Sequence, residues 1–388
     1  MKARLAALLA LTVLATGCTT GPPETERPSL SRVAFEALPG WRAAGLEASL
    51  ASFRRGCAIL KSRDAAAPMG GAGYAGTVGD WLAACDSSDN DARRFFESGF
   101  TPYAVRGGVG LFTGYYEPQI DGRRTRQGAF QIPVHGIPPD LVRADLGQFS
   151  EKLKGERIAG RLVGQRLVPY PDRAAIYAGK VEAPIILYTD DPVALFFLQI
   201  QGSGRVRLED GPVTRLAYAG DNGQPYTAIG RTLIAEGALT LQTVSLQSIR
   251  AWLKANPARA QGVMETDKSY VFFREVPLDD TALGSTGTLG ANLTPLASLA
   301  VDARIHALGA PVYVAAEGDD PLAGLLVAQD TGGAIRGAVR GDIFFGFGDM
   351  AEARAGRMKA PGRMFVLLPN ALAARIGRDW IGGSGGAP

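Results

Sequence analysis

The sequence predicts a mainly β fold that follows a short helical segment at the N-terminus. Of its 388 residues, 50 are glycine, which is nearly twice the usual share of about 7%. After Gly107, short runs of β-branched and aromatic residues alternate with Gly, Pro and Asp, as in strands joined by turns. With 46% hydrophobic residues, a chain of this length can bury the cores of two or three domains.

The first segment, residues 1–17, has the pattern of an export signal. It begins with basic residues, continues with an apolar run and ends in small residues before Cys18. Such a run is too short to cross a bilayer and is typical of a signal peptide. Because Ala15-Thr16-Gly17-Cys18 resembles a lipobox, we expect Cys18 to be acylated and residues 18–32 to form a lipid-anchored tether. An ordinary secretory signal with a chance cysteine is the alternative.

Two predicted helices follow, and each carries a cysteine. Apolar residues at helical spacing predict the first helix: Leu46, Leu50, Phe53, Cys57 and Leu60. Trp81, Leu82 and Cys85 indicate the second. An even number of cysteines in an oxidising compartment favours a disulfide between Cys57 and Cys85. Two buried thiols in a contact between helices are the alternative.

The remaining elements are predicted mostly as strands. Residues 205–208 and 213–218 flank an Asp-Gly turn and predict a β-hairpin. Ser245 precedes an amphipathic run and predicts a capped helix that ends at Asn256-Pro257. Further strands are predicted at 270–273, 299–301, 312–315, 325–328, 343–345 and 364–368. This regular spacing favours a barrel.

Charge and motifs exclude several classes of function. Apart from Lys2 and Arg4 in the leader, 39 of the 41 basic side chains remain against 38 acidic ones, and no basic block stands out. A nucleic-acid partner is therefore not predicted. His135 and His306 are the only histidines, and their spacing supports neither a zinc site nor a histidine relay. We expect no metal and no cofactor.

The densest chemical candidate is a pair of aspartates, Asp330 and Asp342, near the C-terminus. Both lie at the ends of apolar strands with glycines nearby, and Asp342 precedes Ile343-Phe344-Phe345. Apolar neighbours desolvate a carboxyl group and raise its pKa, so that it can act as an acid. The alternative is that both aspartates cap turns. Asp330-Thr331-Gly332 also matches the signature of aspartic proteases, but these need two such carboxylates and the chain has one copy.

Several long motifs occur in one order between residues 112 and 368. They are FTGYYEP at 112–118, DPV to QGSG at 191–204, YAG to PY at 218–226, SYVFFR at 269–274, LTP at 293–295, AVD at 300–302 and the segment with the two aspartates. This set resembles the membrane-bound lytic murein transglycosylase A family. Several motifs in one order are more specific than any single match.

The resemblance implies a double-psi β-barrel catalytic domain built from residues 33–120 and 240–388. A second β-rich domain, residues 121–239, would be inserted between them and would complete a glycan groove. Asp342 matches the family's single acid and base, Asp330 matches the supporting aspartate, and Asp302 would be the third. The residues implied to bind substrate are Tyr115, Tyr116, Glu117, Gln201, Gly202, Ser203, Gly204, Asp302, Thr331 and Gly332. From its sequence the Gly202-Ser203-Gly204 segment is also consistent with a tight-turn loop.

The function implied by the resemblance is that of a peptidoglycan lytic exotransglycosylase. Such an enzyme cleaves the β-1,4 bond between N-acetylmuramic acid and N-acetylglucosamine and forms a 1,6-anhydro product. The expected location is the outer membrane, facing the periplasm, with glycan strands and cell-wall synthesis or hydrolysis complexes as partners. The residues leave open the preference for strand ends or interiors. A non-catalytic peptidoglycan-binding lipoprotein is the alternative.

Overall fold

The computed structural model describes residues 28–107, 110–153, 156–209, 211–318 and 321–381. The predicted signal peptide and Cys18 lie outside the described residues. Within these ranges, no helix has both the length and the apolar character that a membrane span requires.

The helices in the described residues are mostly short. They are α1 (Glu47–Leu60), α2 (Gly79–Asp86), α3 (Ala92–Gly99), α4 (Arg173–Tyr177), α5 (Pro192–Gln201), α6 (Ile229–Ala235), α7 (Leu246–Ala255), α8 (Pro257–Glu265), α9 (Gly348–Arg357) and α10 (Asn370–Ile376).

Strands dominate the rest of the described chain, which confirms the mainly β prediction. The strands of the first part are β1 (Ser29–Arg32), β2 (Phe100–Arg106), β3 (Leu111–Glu117), β4 (Gln119–Gly122), β5 (Ile132–His135), β6 (Val142–Asp145), β7 (Arg157–Val163), β8 (Arg166–Pro169), β9 (Ile185–Thr189), β10 (Ser203–Leu208), β11 (Val213–Asp221) and β12 (Val271–Val276). The later strands are β13 (Ser298–Val301), β14 (Pro311–Ala316), β15 (Leu322–Asp330), β16 (Arg340–Phe347), β17 (Lys359–Ala360), β18 (Gly362–Pro369) and β19 (Asp379–Ile381).

The larger sheet has ten strands in the order β17-β3-β16-β13-β15-β14-β18-β2-β1-β19. Its pairs are antiparallel except for β3 with β16 and β13 with β15, which are parallel. In the described residues the end strands β17 and β19 are not paired with each other. Hydrogen bonds therefore do not close this sheet, and the double-psi β-barrel is not confirmed.

The N-terminal helices pack on this sheet and are joined by a disulfide. Cys57 of α1 and Cys85 of α2 are bonded, with their Cα atoms 5.4 Å apart, which confirms the predicted bridge. One prediction differs from the structure: residues 29–32, assigned to the tether, form β1. This segment is ordered because Leu30 is buried in the core and the strand pairs with β2 and β19.

The smaller, four-stranded sheet has the order β12-β11-β10-β4. Its central pair, β10 and β11, is the predicted hairpin, although Asp210 in its turn lies outside the described residues. Ser245 caps α7 as predicted, accepting a hydrogen bond from the Ser248 amide. Because β12 belongs to this sheet and the apolar side chains of α7 and α8 pack with those of α5, the structure favours a domain boundary after Val276. The predicted boundary at 239/240 stays a prediction.

A buried cluster of charges joins the two sheets. Glu117, at the end of β3, accepts hydrogen bonds from Arg205 Nε at 3.0 Å and Arg215 Nε at 2.6 Å. Both arginines also donate to the carbonyl of Leu283, at 3.1 and 2.6 Å. All three charged side chains are buried. Removing any one of them would leave an uncompensated buried charge and destabilise the folded protein.

Candidate active site

Strand register brings the two predicted aspartates together. Ala300 of β13 lies opposite Asp342 of β16 and opposite Asp330 at the end of β15. Neighbouring strands are about 4.8 Å apart, so the two aspartate Cα atoms are separated by about 10 Å. Residues in register on adjacent strands face the same side of a sheet. Asp330 and Asp342 therefore share one face.

Asp342 lies half-buried on this face and is bonded to the neighbouring strand. Thr113, its partner in the parallel pair of β3 and β16, donates from Oγ1 to Asp342 Oδ1 at 2.6 Å. Burial raises the pKa of Asp342 to about 6, although the Thr113 hydrogen bond and the Arg340 charge act in the opposite direction. A carboxyl group with this pKa exchanges a proton near neutral pH.

The apolar residues after Asp342 divide between the two faces of β16. Ile343 and Phe345 point into the main hydrophobic core. Phe344 shares the face of Asp342, because side chains alternate along a strand, and its ring lies 5.2 Å from that of Tyr115. Of the three apolar residues after Asp342, only Phe344 therefore lies on the same face of β16 and can desolvate the carboxyl group.

Asp330 is held by groups from two other segments. Its Oδ1 accepts from the Thr288 amide at 3.0 Å and from the Thr288 hydroxyl at 2.9 Å, and its Oδ2 accepts from Tyr115 Oη at 3.1 Å. Thr331 is hydrogen-bonded to the same Thr288 hydroxyl at 2.8 Å. Burial raises the pKa of Asp330, and the hydrogen bonds from Thr331, Thr288 and Tyr115 only partly offset the effect.

Both aspartates open into a cavity of about 600 Å³ between the two sheets. One wall comes from the larger sheet and the loop after β15, and includes Tyr115, Thr331 and Gly332. The opposite wall comes from the segments around the smaller sheet. Its lining residues include Arg173, Gln199, Gln201, Tyr226, Asp267 and Ser269. Carboxyl and hydroxyl groups therefore line both walls of this cleft, and the opposite wall adds the side-chain amides of Gln199 and Gln201.

The opposite wall is built around the buried guanidinium group of Arg173 in α4. Its Nε donates to the Asp267 carbonyl at 3.0 Å and its Nη2 to the Ser269 carbonyl at 2.5 Å, while Nη1 donates to Gln199 Oε1. The guanidinium also lies 4.6 Å from the centre of the Phe196 ring. This packing fixes the amide of Gln199 and the backbone at Ser269, both of which line the cavity.

Asp302, the third predicted aspartate, lies outside the cavity lining. Its side chain is fully buried and accepts from Arg304 Nε at 2.9 Å, Arg304 Nη2 at 2.7 Å and the Gly337 amide at 3.0 Å. Burial alone would raise the pKa of Asp302, but these donors outweigh it and the pKa is lowered. The geometry gives Asp302 a structural role in holding the loop before β16, and its substrate contact stays a prediction.

The other predicted substrate-binding residues fall into two groups. Tyr115, Gln201, Thr331 and Gly332 line the cavity. Tyr116 is buried and accepts from Arg250 at 3.4 Å, Glu117 belongs to the buried charge cluster, and Ser203 donates to Ser285 at 2.9 Å. Gly202 ends α5 with a φ of 79°, and a Cβ at Gly204 would lie 2.4 Å from Leu198. Gly202 thus forms the turn after α5, and Ser203 and Gly204 begin β10. A substrate contact of these three residues stays a prediction.

Sequence analysis missed several residues of the site. Thr288 and Arg173 lie in segments without a chemical motif. The fold brings Arg173 to the cavity lining and Thr288 to the carboxyl group of Asp330. Arg340 lies two residues before Asp342 and donates from Nη2 to Thr113 Oγ1 at 2.9 Å. Alternation along a strand could have indicated that Arg340 shares the face of Asp342, but not that it reaches Thr113.

Comparisons with known proteins match the two parts that frame this cavity. The family model "MltA specific insert domain" matches residues 111–274, and the "3D domain" matches residues 297–368. These two domains in this order define the class of the protein. The membrane-bound lytic murein transglycosylase A of Escherichia coli (strain K12) is 33% identical over 308 residues, covering 75% of this chain and 74% of the relative. The chain belongs to the membrane-bound lytic murein transglycosylase A family.

Solved structures of similar proteins agree with this assignment. MltA from Neisseria gonorrhoeae, 37% identical, superposes with a TM-score of 0.74 over 88% of this chain and 93% of that chain. A structure of E. coli MltA with bound chitohexaose, 27% identical, has a TM-score of 0.66 over 88% of this chain and 94% of that chain.

Proposed function

We propose that this chain is a peptidoglycan lytic transglycosylase in which Asp342 is the single acid and base. The observation that carries the proposal is the half-buried Asp342, with a pKa raised to about 6, at the wall of a polar cleft. Relatives named lytic murein transglycosylases and a relative solved with bound chitohexaose support a glycan substrate.

The proposed reaction needs one carboxyl group because the nucleophile belongs to the substrate. Asp342 gives its proton to the glycosidic oxygen as the bond to C1 of N-acetylmuramic acid breaks. The C6 hydroxyl of the same sugar then attacks C1, and its proton returns to the Asp342 carboxylate. No water is consumed and a 1,6-anhydro sugar forms. Tethering of the nucleophile replaces the second carboxylate that ordinary glycosidases use.

Asp342→Asn tests this proposal. The variant should keep its fold, because Asn has the same shape, but should release no anhydro-muropeptides from purified cell wall, since its amide cannot donate and recover a proton. The products are identified by mass spectrometry, in which hydrolytic products are heavier by one water. The control is Asp349→Asn, an exposed carboxylate at the start of α9.

Two outcomes would count against the proposal. Products heavier by one water would show hydrolysis, and full activity of Asp342→Asn would move the acid elsewhere. Binding of the wild-type protein to insoluble wall without any soluble product would favour the alternative of a peptidoglycan-binding protein.

We also propose the finer features of fold and location that the sequence predicts. The parallel pairs of β3 with β16 and β13 with β15 support a double-psi β-barrel in the larger sheet. The names of the relatives include "membrane-bound", which supports attachment through an acylated Cys18 and an outer-membrane location facing the periplasm. Complexes with other cell-wall enzymes stay a prediction.

A further inference from the structure

Three side chains on β3 and β16 form a hydrogen-bonded chain that ends at Asp342. Arg340 Nη2 donates to Thr113 Oγ1 at 2.9 Å, and Thr113 Oγ1 lies 2.6 Å from Asp342 Oδ1. Arg340 and Asp342 are two residues apart on β16, and Thr113 is directly opposite Asp342 on β3. We call these three side chains the relay.

The direction of each hydrogen bond in the relay follows from the groups themselves. A guanidinium group has donors only, so Thr113 Oγ1 must be the acceptor from Arg340. The hydroxyl has a single proton, and with Arg340 on its acceptor side that proton points to Asp342 Oδ1. Oδ1 is therefore an acceptor whether or not the carboxyl group is protonated. The exchangeable proton is left to Oδ2.

Arg340 is itself held in place by backbone groups of the same two strands. Its Nη1 donates to the carbonyl of Gly341 at 2.5 Å and to that of Leu111 at 3.3 Å. Leu111 is the partner of Arg340 in the parallel pair. The guanidinium group is thus fixed by β3 and β16, and it cannot leave Thr113 without losing these contacts.

We propose that Arg340 is a positioning residue that acts through Thr113 to keep the reactive proton of Asp342 on Oδ2. This inference rests on the proposed function, because it takes Asp342 as the acid and base. A proton on Oδ1 would lie in the hydrogen bond to Thr113 and could not reach a glycosidic oxygen. Fixing Oδ1 as an acceptor removes that unproductive form before the substrate binds.

Other charged and titratable groups also face Asp342, and the test has to separate their effects. They are Asp330 of β15, Tyr115 of β3, Arg340 of the same strand and, on the opposite wall, Arg173, Tyr226 and Asp267. The Asp330 charge favours the neutral form of Asp342, whereas Arg340 and the Thr113 hydroxyl favour the ionised form. Removing part of the relay should therefore raise the pKa of Asp342, and removing Asp330 should lower it.

The experiment compares Thr113→Val, Thr113→Ser, Arg340→Gln and the double variant Thr113→Val/Arg340→Gln with the wild type. Arg363→Gln, an exposed arginine on β18, is the matched control. The carboxyl carbon of Asp342 is titrated by ¹³C NMR and assigned by its loss in Asp342→Asn. In parallel, kcat and KM for release of anhydro-muropeptides are measured against pH, and thermal melting checks the fold.

We expect Thr113→Val and Arg340→Gln to raise the pKa of Asp342 by about one unit. The alkaline limb of the kcat/KM profile should move to higher pH by the same amount. At the pH optimum kcat should drop about tenfold or more, because the proton is no longer directed to the substrate, while KM changes little. Thr113→Ser keeps the hydroxyl group and should therefore have the kcat of the wild type. Since Arg340 acts through Thr113, the double variant should lose no more kcat than Thr113→Val alone.

Separate results would overturn the relay or the proposed function. Unchanged kcat in Arg340→Gln, or a loss in the double variant equal to the product of the two single losses, would overturn the relay. The same holds if Thr113→Ser behaves as Thr113→Val. If wild-type protein releases no anhydro product, the proposed function fails and the positioning role of Arg340 fails with it. If wild-type protein is active but the Arg340 and Thr113 variants keep the wild-type kcat, only the positioning role fails.

Discussion

At the residue scale, three aspartates of one short region differ because of the groups around each carboxyl. Asp302 accepts from Arg304 and a backbone amide, and its pKa is lowered. Asp342 accepts a hydrogen bond from one hydroxyl group, which does not offset the effect of burial, and its pKa rises to about 6. Asp330 has donors from Thr288 and Tyr115, but burial dominates and its pKa is also raised. The difference follows from the number and charge of donors, not from residue type.

Asp330→Asn should lower the pKa of Asp342, because it removes a nearby negative charge that favours the neutral form. The expected change is about one unit, seen as a move of the alkaline limb of kcat/KM to lower pH. The Asn side chain can still accept from Thr288, so the site should remain folded. Asp379→Asn, an exposed carboxylate on β19, is the control. A limb that moves to higher pH would contradict the prediction.

At the element scale, the site depends on the register of four strands. The parallel pairing of β3 with β16 places Thr113 beside Asp342, and the pairings of β13 place Ala300 between Asp342 and Asp330. A slip of one residue in β16 would turn Asp342 toward the core and Ile343 toward the cavity. The burial of Ile343 and Phe345 in the main core prevents that slip, so apolar packing on one face fixes the acid on the other.

The disulfide between α1 and α2 is an element-scale contribution to stability. It joins cysteines separated by 28 residues, and closing a loop of this size stabilises the folded state by about 3 to 4 kcal/mol in the chain-entropy model. The double variant Cys57→Ser/Cys85→Ser should lose about that much free energy of unfolding, measured with urea. Reduced wild-type protein serves as a comparison without mutation. A urea midpoint equal to that of the oxidised wild type would refute the estimate.

At the scale of the whole molecule, the cleft exists because two sheets meet at the end of β3. Glu117 and the two arginines that it binds lie buried at this junction. Beyond the junction the sheets separate and leave a cavity of about 600 Å³ with Asp342 on one wall. The molecule thus holds a partly desolvated carboxyl group open to a ligand, and such an arrangement lowers stability whenever the group is ionised.

Asp342→Asn should therefore stabilise the protein above pH 7 and have little effect below pH 4. The folded pKa of about 6 lies above the ordinary value of 3.8, so the wild type loses stability as the pH rises through this window. The full difference is at most about 3 kcal/mol, at about 1.4 kcal/mol for each pKa unit. Thermal melting of both proteins between pH 4 and pH 8 measures it. Parallel curves for the two proteins would contradict the prediction.

The sequence by itself determined the local features of this protein. Helical spacing predicted α1 and its cysteine, turn residues predicted the β10–β11 hairpin, and a serine predicted the start of α7. Asp330 and Asp342 also stood out, because the carboxyl groups, glycines and apolar neighbours that matter are adjacent in the chain. These features depend on contacts between residues close in sequence, and a local sequence pattern can predict such contacts.

Only the tertiary structure decided which residues surround the acid. Thr113 is 229 residues from Asp342 and Thr288 is 42 residues from Asp330, so their contacts depend on how distant strands and loops pair. The same pairing places Glu117 in the buried charge cluster and Tyr116 against Arg250, outside the cavity lining. The pKa of a carboxyl group depends on its burial and on hydrogen-bond donors from other parts of the fold. Neither can be predicted from the residues next to it in the sequence.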